Sequence, residues 1–405
     1  MKPRRIIALL TAIAVLARVA ATLYADAATL PGGEDRAIAQ NLSQRLGFSF
    51  AAFSYHGPTS SRAPVYPMLL AGIDAIAGSD KAATFAALVI NALAGGASVI
   101  LAYAVARRLF ASKIAPWLMA VFFAIWPTQV YPAIYQQPLS LAVMLLLGVL
   151  YFAASRKPHQ AVPAGLLAGA AVLSESILLI PLVLLIALIA ARRPVYALTV
   201  LLAAMCLVTP WIYRNAIVHR QPSAITNNVW PDVFSGNGPD ATGSLHLIAK
   251  DPDGRPLARL DRLSPIESDQ LKRQPESVRN AQFRKWSLQW IGDNPLAYAK
   301  LCAIRVAKLL WLDWDHPLAL HWLNLASRSV LFAGFIFALV HRHPRATDLP
   351  GMVSAFASGR VLGIMLAIGL VLASAFTISE ARSAVFVDVA QLLAVASLAD
   401  RKREQ

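Results

Sequence analysis

The sequence has few charged residues and almost no cysteine, and each shortage argues against a class of protein. Asp, Glu, Lys and Arg make up 15% of the 405 residues, whereas a soluble domain carries about 25%. Cys206 and Cys302 lie far apart, so they provide neither a disulfide framework nor a metal-binding spacing. The sequence also lacks HExxH, nucleophile-elbow and Walker A patterns, and therefore gives no support for a protease, a hydrolase or an ATPase.

The sequence contains many long apolar runs instead. Hydrophobic residues make up 57% of the chain. Apolar runs lie at about 6–24, 83–106, 114–134, 138–154, 161–174, 176–191, 195–213, 325–341, 359–378 and 384–398. The fifth and sixth runs are short and meet at Glu175, so a turn there would place this residue at or near the outer face. We predict an all-α polytopic membrane protein with a bundle of about ten transmembrane helices.

The positive charges predict the orientation of this bundle. The net charge is +15, but many of the basic residues stand in short clusters at the ends of apolar runs. The clusters are Lys2 with Arg4-Arg5, Arg107-Arg108, Arg156-Lys157, Arg192-Arg193, Arg342 with Arg345, and Arg401-Lys402-Arg403. Because Lys and Arg concentrate in cytoplasmic loops, both termini are predicted to be cytoplasmic. Scattered clusters of this kind argue against nucleic acid as a partner.

The first run is interpreted as an uncleaved helix, although small residues after Tyr24 would also suit a signal-peptide cleavage site. The run continues past the length of a normal signal sequence, and Arg18 interrupts it. A charge facing lipid is costly, so we expect Arg18 to face the bundle or to snorkel to the interface.

Two polar stretches divide the chain into regions. Residues 1–213 form an N-terminal membrane region whose first outer loop is 25–62; residues 214–323 form a periplasmic domain with an interfacial helix; residues 324–405 form C-terminal membrane helices. The second polar stretch is rich in Pro, Gly, Asp and Arg and is expected to be a small α/β insertion. Pro64 to Gly78 is predicted to be a helix at the outer interface, because a further span would move the later Arg clusters outside.

The first outer loop contains an acidic pair, Glu34-Asp35, directly after two glycines. A carboxylate at the membrane surface can act as general base towards an acceptor hydroxyl or amine. The alternative is a helix N-terminus, since acidic residues favour the first turn. The spacing alone leaves both interpretations open.

Several segments resemble bacterial GT-C membrane glycosyltransferases, relatives of protein O-mannosyltransferases and lipid A aminoarabinose transferases (glycosyltransferase family 39-like). The most specific is "TPWIYRN…ITNN…SGNGPDATG" within 209–243. The first loop, "AQNLSQRLGFSF…SRAPVYPMLLAG", "ARRLF" at 106–110 and "ISEARSAVFVDVAQLLAVASL" at 378–398 also fit. The resemblance extends over nearly the whole chain.

This resemblance implies a polyprenyl-phosphate-linked sugar as donor, and a catalytic acid in the first outer loop. By position that acid is Asp35 or Glu34, with Asp26 a weaker candidate. The candidates for substrate binding are Arg62, Tyr66, Arg214 and Asn237. The sequence departs from the family where Gln136-Gln137 replaces an acid and where Glu175 replaces an arginine.

Cations for the donor phosphate are expected near the start of the C-terminal region. Residues 295–312 read as an amphipathic helix that presents Lys300, Arg305 and Lys308, and Arg382 lies at the outer end of the last hairpin. These cations could hold the departing phosphate. The alternative for the helix is adhesion to anionic lipid headgroups.

The predicted function is transfer of a sugar from a polyprenyl phosphate to a glycan, lipid or protein acceptor, at the periplasmic face of a bacterial inner membrane. Nothing in the sequence requires a metal, and a divalent cation stays open as a cofactor. The alternatives are a transporter or flippase of lipid-linked saccharides and a catalytically inactive relative.

Overall fold

The computed structural model describes residues 2–27, 32–52, 55–155, 157–244, 263–341, 359–377 and 381–399. Within these ranges the chain is almost entirely helical, with a single pair of short strands. The predicted all-α fold class is confirmed.

After the first helix, the first outer loop folds as a short helix and a hairpin, and a third helix follows it. The elements are α1 (Pro3–Tyr24), α2 (Gly33–Ser43), β1 (Ser49–Ala52), β2 (Tyr55–Pro58) and α3 (Val65–Ala77). The strands are antiparallel, with Ser49 opposite Pro58. α3 has 13 residues and is about 20 Å long, short of the hydrocarbon thickness of about 30 Å. Its length therefore suits the interfacial helix predicted for this segment.

The remaining elements are all helices in the described residues. They are α4 (Asp80–Leu109), α5 (Ala115–Ile125), α6 (Pro127–Val130), α7 (Leu139–Ala153), α8 (Ala161–Val172), α9 (Leu179–Ala190), α10 (Pro194–His219), α11 (Val229–Gly236), α12 (Pro265–Lys272), α13 (Glu276–Asp293), α14 (Pro295–Leu310), α15 (Trp322–Val340), α16 (Gly359–Ala375) and α17 (Ala384–Ala396).

Every predicted apolar run coincides with a helix or a bent helix pair, but the helices differ in length. Among the described residues, α1, α4, α10 and α15 are each long and apolar enough to cross a membrane. The pair α5–α6 makes a fifth if it is one bent span. The other apolar helices are shorter than a straight crossing needs. The membrane class is supported, and the number of about ten crossings stays a prediction.

The bend in the α5–α6 pair has a local cause. α5 and the segment Pro127–Ile134 meet at 59°. Pro127 has no N–H to donate, and its ring disfavours the helical conformation at the preceding residue. Trp126 is accordingly extended, with φ −67° and ψ 130°. The sequence thus sets the break at this position.

Arg18 faces the bundle, one of the two placements expected for it. The residue is 1% exposed, and its guanidinium donates to the carbonyls of Ala14 (3.0 Å), Phe123 (2.9 Å) and Gln129 (2.9 Å). Gly95 on α4 leaves room for it, because a Cβ there would lie 2.0 Å from Arg18 Nε. The carbonyl oxygens offset the cost of burying the charge.

A second charged group inside the bundle is an ion pair. Arg328 on α15 binds the carboxylate of Asp388 on α17. Arg328 also donates to the carbonyls of Leu309 (2.9 Å) and Trp311 (2.6 Å), and Thr128 on α6 donates to Asp388. This network joins α6, α15 and α17.

Two glycines let α8 and α10 pack with their backbones in contact. A Cβ at Gly165 would lie 2.3 Å from the carbonyl oxygen of Val200, and one at Gly169 would lie 2.8 Å from that of Ala204. Because the glycines are four residues apart, they share one face of α8. Small residues at this spacing are typical of helix contacts in membranes.

The second polar stretch differs from the prediction. In its described part the residues 214–323 form the end of α10 and helices α11 to α14, without a strand, so the expected α/β insertion is wrong there. Residues 245–262 lie outside the described residues. Two prolines of this stretch open helices, since Pro265 and Pro295 stand at the first helical positions of α12 and α14. The strands of the protein lie in the first outer loop.

The two polar stretches contact one another at one end of the bundle. Arg214 at the end of α10 donates to the carbonyls of Phe48 (2.9 Å) and Thr59 (2.7 Å). The two stretches are therefore on the same side of any membrane that the bundle crosses. Of the basic clusters used for orientation, Arg156, Arg342, Arg345 and residues 401–403 lie outside the described residues.

Reporter fusions test this arrangement. Fusions within 25–62 and within 214–323 are expected to report the same, extracytoplasmic side, whereas a fusion after Arg193 is expected to report the cytoplasm. The measurement is paired alkaline phosphatase and fluorescent-protein activity for each fusion. If the two polar stretches report opposite sides, the arrangement of the bundle described here is wrong.

Candidate functional site

A cavity of about 250 Å³ lies at the end of the bundle where the polar stretches meet. Its walls come from distant parts of the chain. They include Asp35 of α2, residues 61–63, Pro138 before α7, residues 174–177 between α8 and α9, residues 179–180 of α9, residues 224–226 and 228–229, Asp232, residues 373–374 and 377, and Arg382-Ser383 before α17. The cavity thus collects polar groups from the ends of several apolar helices.

Asp35 is a buried carboxylate of this cavity. α2 begins at Gly33, whose φ of +63° suits glycine, and Asp35 lies in the first turn. The helix dipole favours an acidic residue there. The side chain is only 6% exposed and lines the cavity. The two sequence interpretations therefore coincide: Asp35 is a first-turn acid and also a cavity residue.

Burial raises the pKa of Asp35 to about 6. The positive charges of Arg62 and Arg382 act in the opposite direction, while the negative charges of Glu175 and Glu34 raise the pKa further. At neutral pH the carboxylate is mostly ionised, yet it is a stronger base than an exposed aspartate. Such a group is suited to accept a proton from a reacting hydroxyl.

Glu34 has a different position from its neighbour. Its Oε2 lies 2.9 Å from Nε of Arg62, and both side chains are partly exposed. Arg62 lines the cavity, whereas Glu34 is not among the lining residues. Of the two predicted catalytic acids, Asp35 faces the cavity and Glu34 binds the arginine beside it.

The cavity has a charged part and an apolar part. Arg62 and Arg382 both line it, and both are close enough to Asp35 to lower its pKa. The apolar part of the lining includes Ile177, Leu179 and Ile180. A ligand that fits both parts carries an anionic group and an apolar chain.

Two acidic residues of the cavity were not predicted as site residues. Glu175 lies in the turn between α8 and α9, and Asp232 lies in the first turn of α11. Glu175 had a signal in the sequence, as a charged residue between two short apolar runs, whereas Asp232 had none. In the described part of the chain, no group of three or more His, Cys, Asp or Glu residues is arranged to hold a metal ion.

The other predicted substrate-binding residues lie outside the cavity lining. Tyr66 is 1% exposed and accepts a hydrogen bond from Asn91 (3.0 Å); burial raises its pKa well above the usual range. Arg214 joins the first loop to α10, as described above. Asn237 donates to the carbonyl of Val233 (2.6 Å) and accepts from Arg305 (2.7 Å).

The predicted phosphate-binding residues of α14 also lie apart from the cavity lining. Arg305 is fully buried and donates to the carbonyls of Gly236 (2.6 Å) and Ala375 (3.0 Å). Lys308 is buried too, donates to the carbonyl of Thr242 (2.9 Å) and pairs with Asp315. Lys300 is exposed. Arg305 and Lys308 therefore hold residues 236–242 against α14, and a role of these three cations in phosphate binding stays a prediction.

The fold and the cavity together define a polytopic helical membrane protein with a charged, amphiphilic site at one end of its bundle. No family model matches the sequence, and no curated protein matches it. Among solved structures the chain is similar to ArnT from Cupriavidus metallidurans, a crystal structure bound to undecaprenyl phosphate. The identity is 13%, the TM-score is 0.42, and the match covers 98% of this chain and 78% of that one. A similarity of this strength does not decide what the present chain binds or does.

The burial of Asp35 predicts a gain of stability when its charge is removed. The pKa of this carboxyl is about 6 in the folded state and about 4 in the unfolded state. The stabilisation from the raised pKa is therefore fully present below about pH 4, where both states are protonated. It is lost as the pH rises through about 6, because the buried carboxyl then becomes charged in the folded protein. Asp35→Asn is therefore expected to raise the unfolding temperature at about pH 8, with the gain disappearing below about pH 4. Thermal unfolding of the detergent-purified protein measures this difference, and a variant less stable than wild type at about pH 8 contradicts it.

Proposed function

We propose that the protein is a glycosyltransferase that moves a sugar from a polyprenyl phosphate to an acceptor at the extracytoplasmic face of the membrane. The observation that carries the proposal is the cavity itself, in which the buried carboxylate of Asp35 faces the same space as Arg62 and Arg382. A general base and two phosphate-binding cations are the groups that this reaction needs.

The donor is assigned from the two parts of the cavity. Guanidinium groups bind phosphate oxygens with directed hydrogen bonds, and Arg382 and Arg62 supply two of them. Ile177, Leu179 and Ile180, at or just before the start of α9, offer an apolar surface for an isoprenoid chain that arrives from the bilayer. A polyprenyl phosphate has both features in one molecule, which a soluble nucleotide sugar lacks.

In the proposed reaction the acceptor hydroxyl attacks the anomeric carbon of the sugar. As the new C–O bond forms, the hydroxyl proton passes to the Asp35 carboxylate. The bond from the anomeric carbon to the phosphate oxygen breaks, and the lipid phosphate leaves with the electron pair. Arg382 and Arg62 stabilise the negative charge that develops on that oxygen, and the configuration of the anomeric carbon inverts.

Glu34 takes no direct part in this scheme. Its carboxylate lies 2.9 Å from Arg62 and therefore holds that side chain beside the cavity. The acceptor is a glycan, a lipid or a protein on the outer side, and the sugar is left open. A transporter or flippase of lipid-linked saccharides would use the same cations without needing the carboxylate of Asp35.

Carboxamide variants separate the enzyme from the transporter. Asp35→Asn is expected to lower kcat by about 10²- to 10⁴-fold, because the general base is lost, while Glu34→Gln lowers activity far less. The measurement is sugar transfer from a radiolabelled polyprenyl-phosphate sugar in proteoliposomes. Asp26→Asn, in the same loop but outside the cavity lining, is the matched control. Full transfer activity in well-folded Asp35→Asn would refute the proposed mechanism.

The charges around Asp35 predict a pH profile. The kcat/KM of the wild type is expected to fall as the pH decreases through about 6, since the carboxylate must be ionised. Glu175→Gln removes a negative neighbour and should move the midpoint to lower pH, whereas Arg62→Gln removes a positive one and should move it to higher pH. Shifts of the same sign in both variants would show that another group controls the profile.

A further inference from the structure

The wall of the cavity that carries Arg62 has no regular secondary structure. Residues 59–64 connect β2 to α3 without forming a helix or a strand, and Ser61, Arg62 and Ala63 line the cavity. A segment of this kind takes its position from the side chains that bind it. The backbone position of Arg62 therefore depends on the partners of residues 59 and 60, whereas its guanidinium is bound by Glu34 (2.9 Å).

The main partner is Glu276, the first residue of α13. Its carboxylate accepts hydrogen bonds from the hydroxyl of Thr59 (2.6 Å) and the backbone N–H of Ser60 (3.1 Å). Nε2 of His219 lies 3.6 Å from Oε1 of the same carboxylate. Thr59, Ser60 and Glu276 are all buried. Buried hydrogen bonds to a charged group are among the stronger ones in proteins.

The same helix holds a second wall of the cavity. Asn280 on α13 donates to the carbonyl of Asn227 (2.8 Å), and the N–H of Asn227 donates to the carbonyl of Ser60 (2.8 Å). Asn228, the next residue, lines the cavity. Glu276 and Asn280 are four residues apart and so share one face of α13. One helix of the second polar stretch thus binds two walls that are distant in sequence.

Ser60, His219 and Glu276 have the residue types of a nucleophilic triad, but the geometry excludes that role. Ser60 is 0% exposed, so no substrate reaches its hydroxyl. In addition, Ser60 and Glu276 approach the same nitrogen of His219, Nε2, whereas a triad uses both ring nitrogens. The cluster holds the segment in place and does not react.

We propose that Glu276 is a positioning residue for phosphate binding: by fixing residues 59–60, it places the guanidinium of Arg62 in the cavity. The inference rests on the proposed role of Arg62 towards the donor. Glu276 itself lies outside the cavity lining, so it acts on the donor only through the segment that it binds.

The test is a kinetic split in Glu276→Gln. The amide loses the charge and one acceptor oxygen, and the donor KM is expected to rise about tenfold, with a smaller fall in kcat because Arg62 also stabilises the leaving phosphate. Glu267→Gln is the matched control, because Glu267 caps α12 at the surface of the same region and should leave KM unchanged. Thr59→Val removes a single donor to the carboxylate and provides a milder version of the same change.

A double-mutant cycle distinguishes positioning from a general loss of structure. If Glu276 acts through Arg62, the effects of Glu276→Gln and Arg62→Gln on the affinity for polyprenyl phosphate in detergent micelles will not be additive. Additive effects would overturn the proposal, as would an unchanged donor affinity in both Glu276→Gln and Thr59→Val. A wild-type protein that binds no polyprenyl phosphate would instead refute the proposed function, and this inference with it.

Discussion

Burying a charge in an apolar bundle is costly unless opposite charge or hydrogen bonds compensate for it, and this constraint decides where the charged residues of the protein lie. Arg18 is surrounded by backbone carbonyls, and Arg328 is paired with Asp388. Arg36 on α2 is likewise bound to Asp74 on α3. Each of these groups joins helices to one another. These buried charges therefore serve the assembly of the fold.

Asp35 is a buried charge that lines the cavity. It is about as buried as the structural ions, its pKa is raised to about 6, and it lines the cavity together with Arg62 and Arg382. The residue beside it on the helix, Arg36, takes the ion pair with α3 and thereby fixes the face of α2 that Asp35 presents to the cavity. A buried carboxylate that has a raised pKa and lines a cavity is a candidate for a reactive group.

Much of the architecture could be predicted from the sequence, because apolar length is a local property. The predicted apolar runs are helices in the structure, and Arg18 faces the bundle. Of the predicted acids, Asp35 lines a cavity in the structure. The prediction failed where partners are distant in the chain. Arg305 and Lys308 lie on the predicted amphipathic helix, but carbonyls at 236, 242 and 375 bind them internally. No periodicity of the helix itself reveals such partners.

The second polar stretch shows a related failure. Its composition, rich in Pro, Gly, Asp and Arg, suggested an α/β insertion, yet Pro265 and Pro295 open helices, a position that proline favours. Asp232 had no neighbours in the sequence that marked it as a site residue. It reaches the cavity because residues 224–232 pack against α13, a contact between distant parts of the chain. Residues whose role comes from long-range contacts are visible only when the fold is known.

The contact between α8 and α10 has an effect beyond packing. Gly169 and Gly165 lie about one and two turns before the end of α8, and the chain continues from that helix into the cavity wall at residues 174–177. An added methyl group at either glycine would push α8 away from α10 and would thereby displace residues 174–177 of the cavity wall. The shape of the cavity thus depends on how closely α8 and α10 approach each other at two glycines that lie outside the cavity lining.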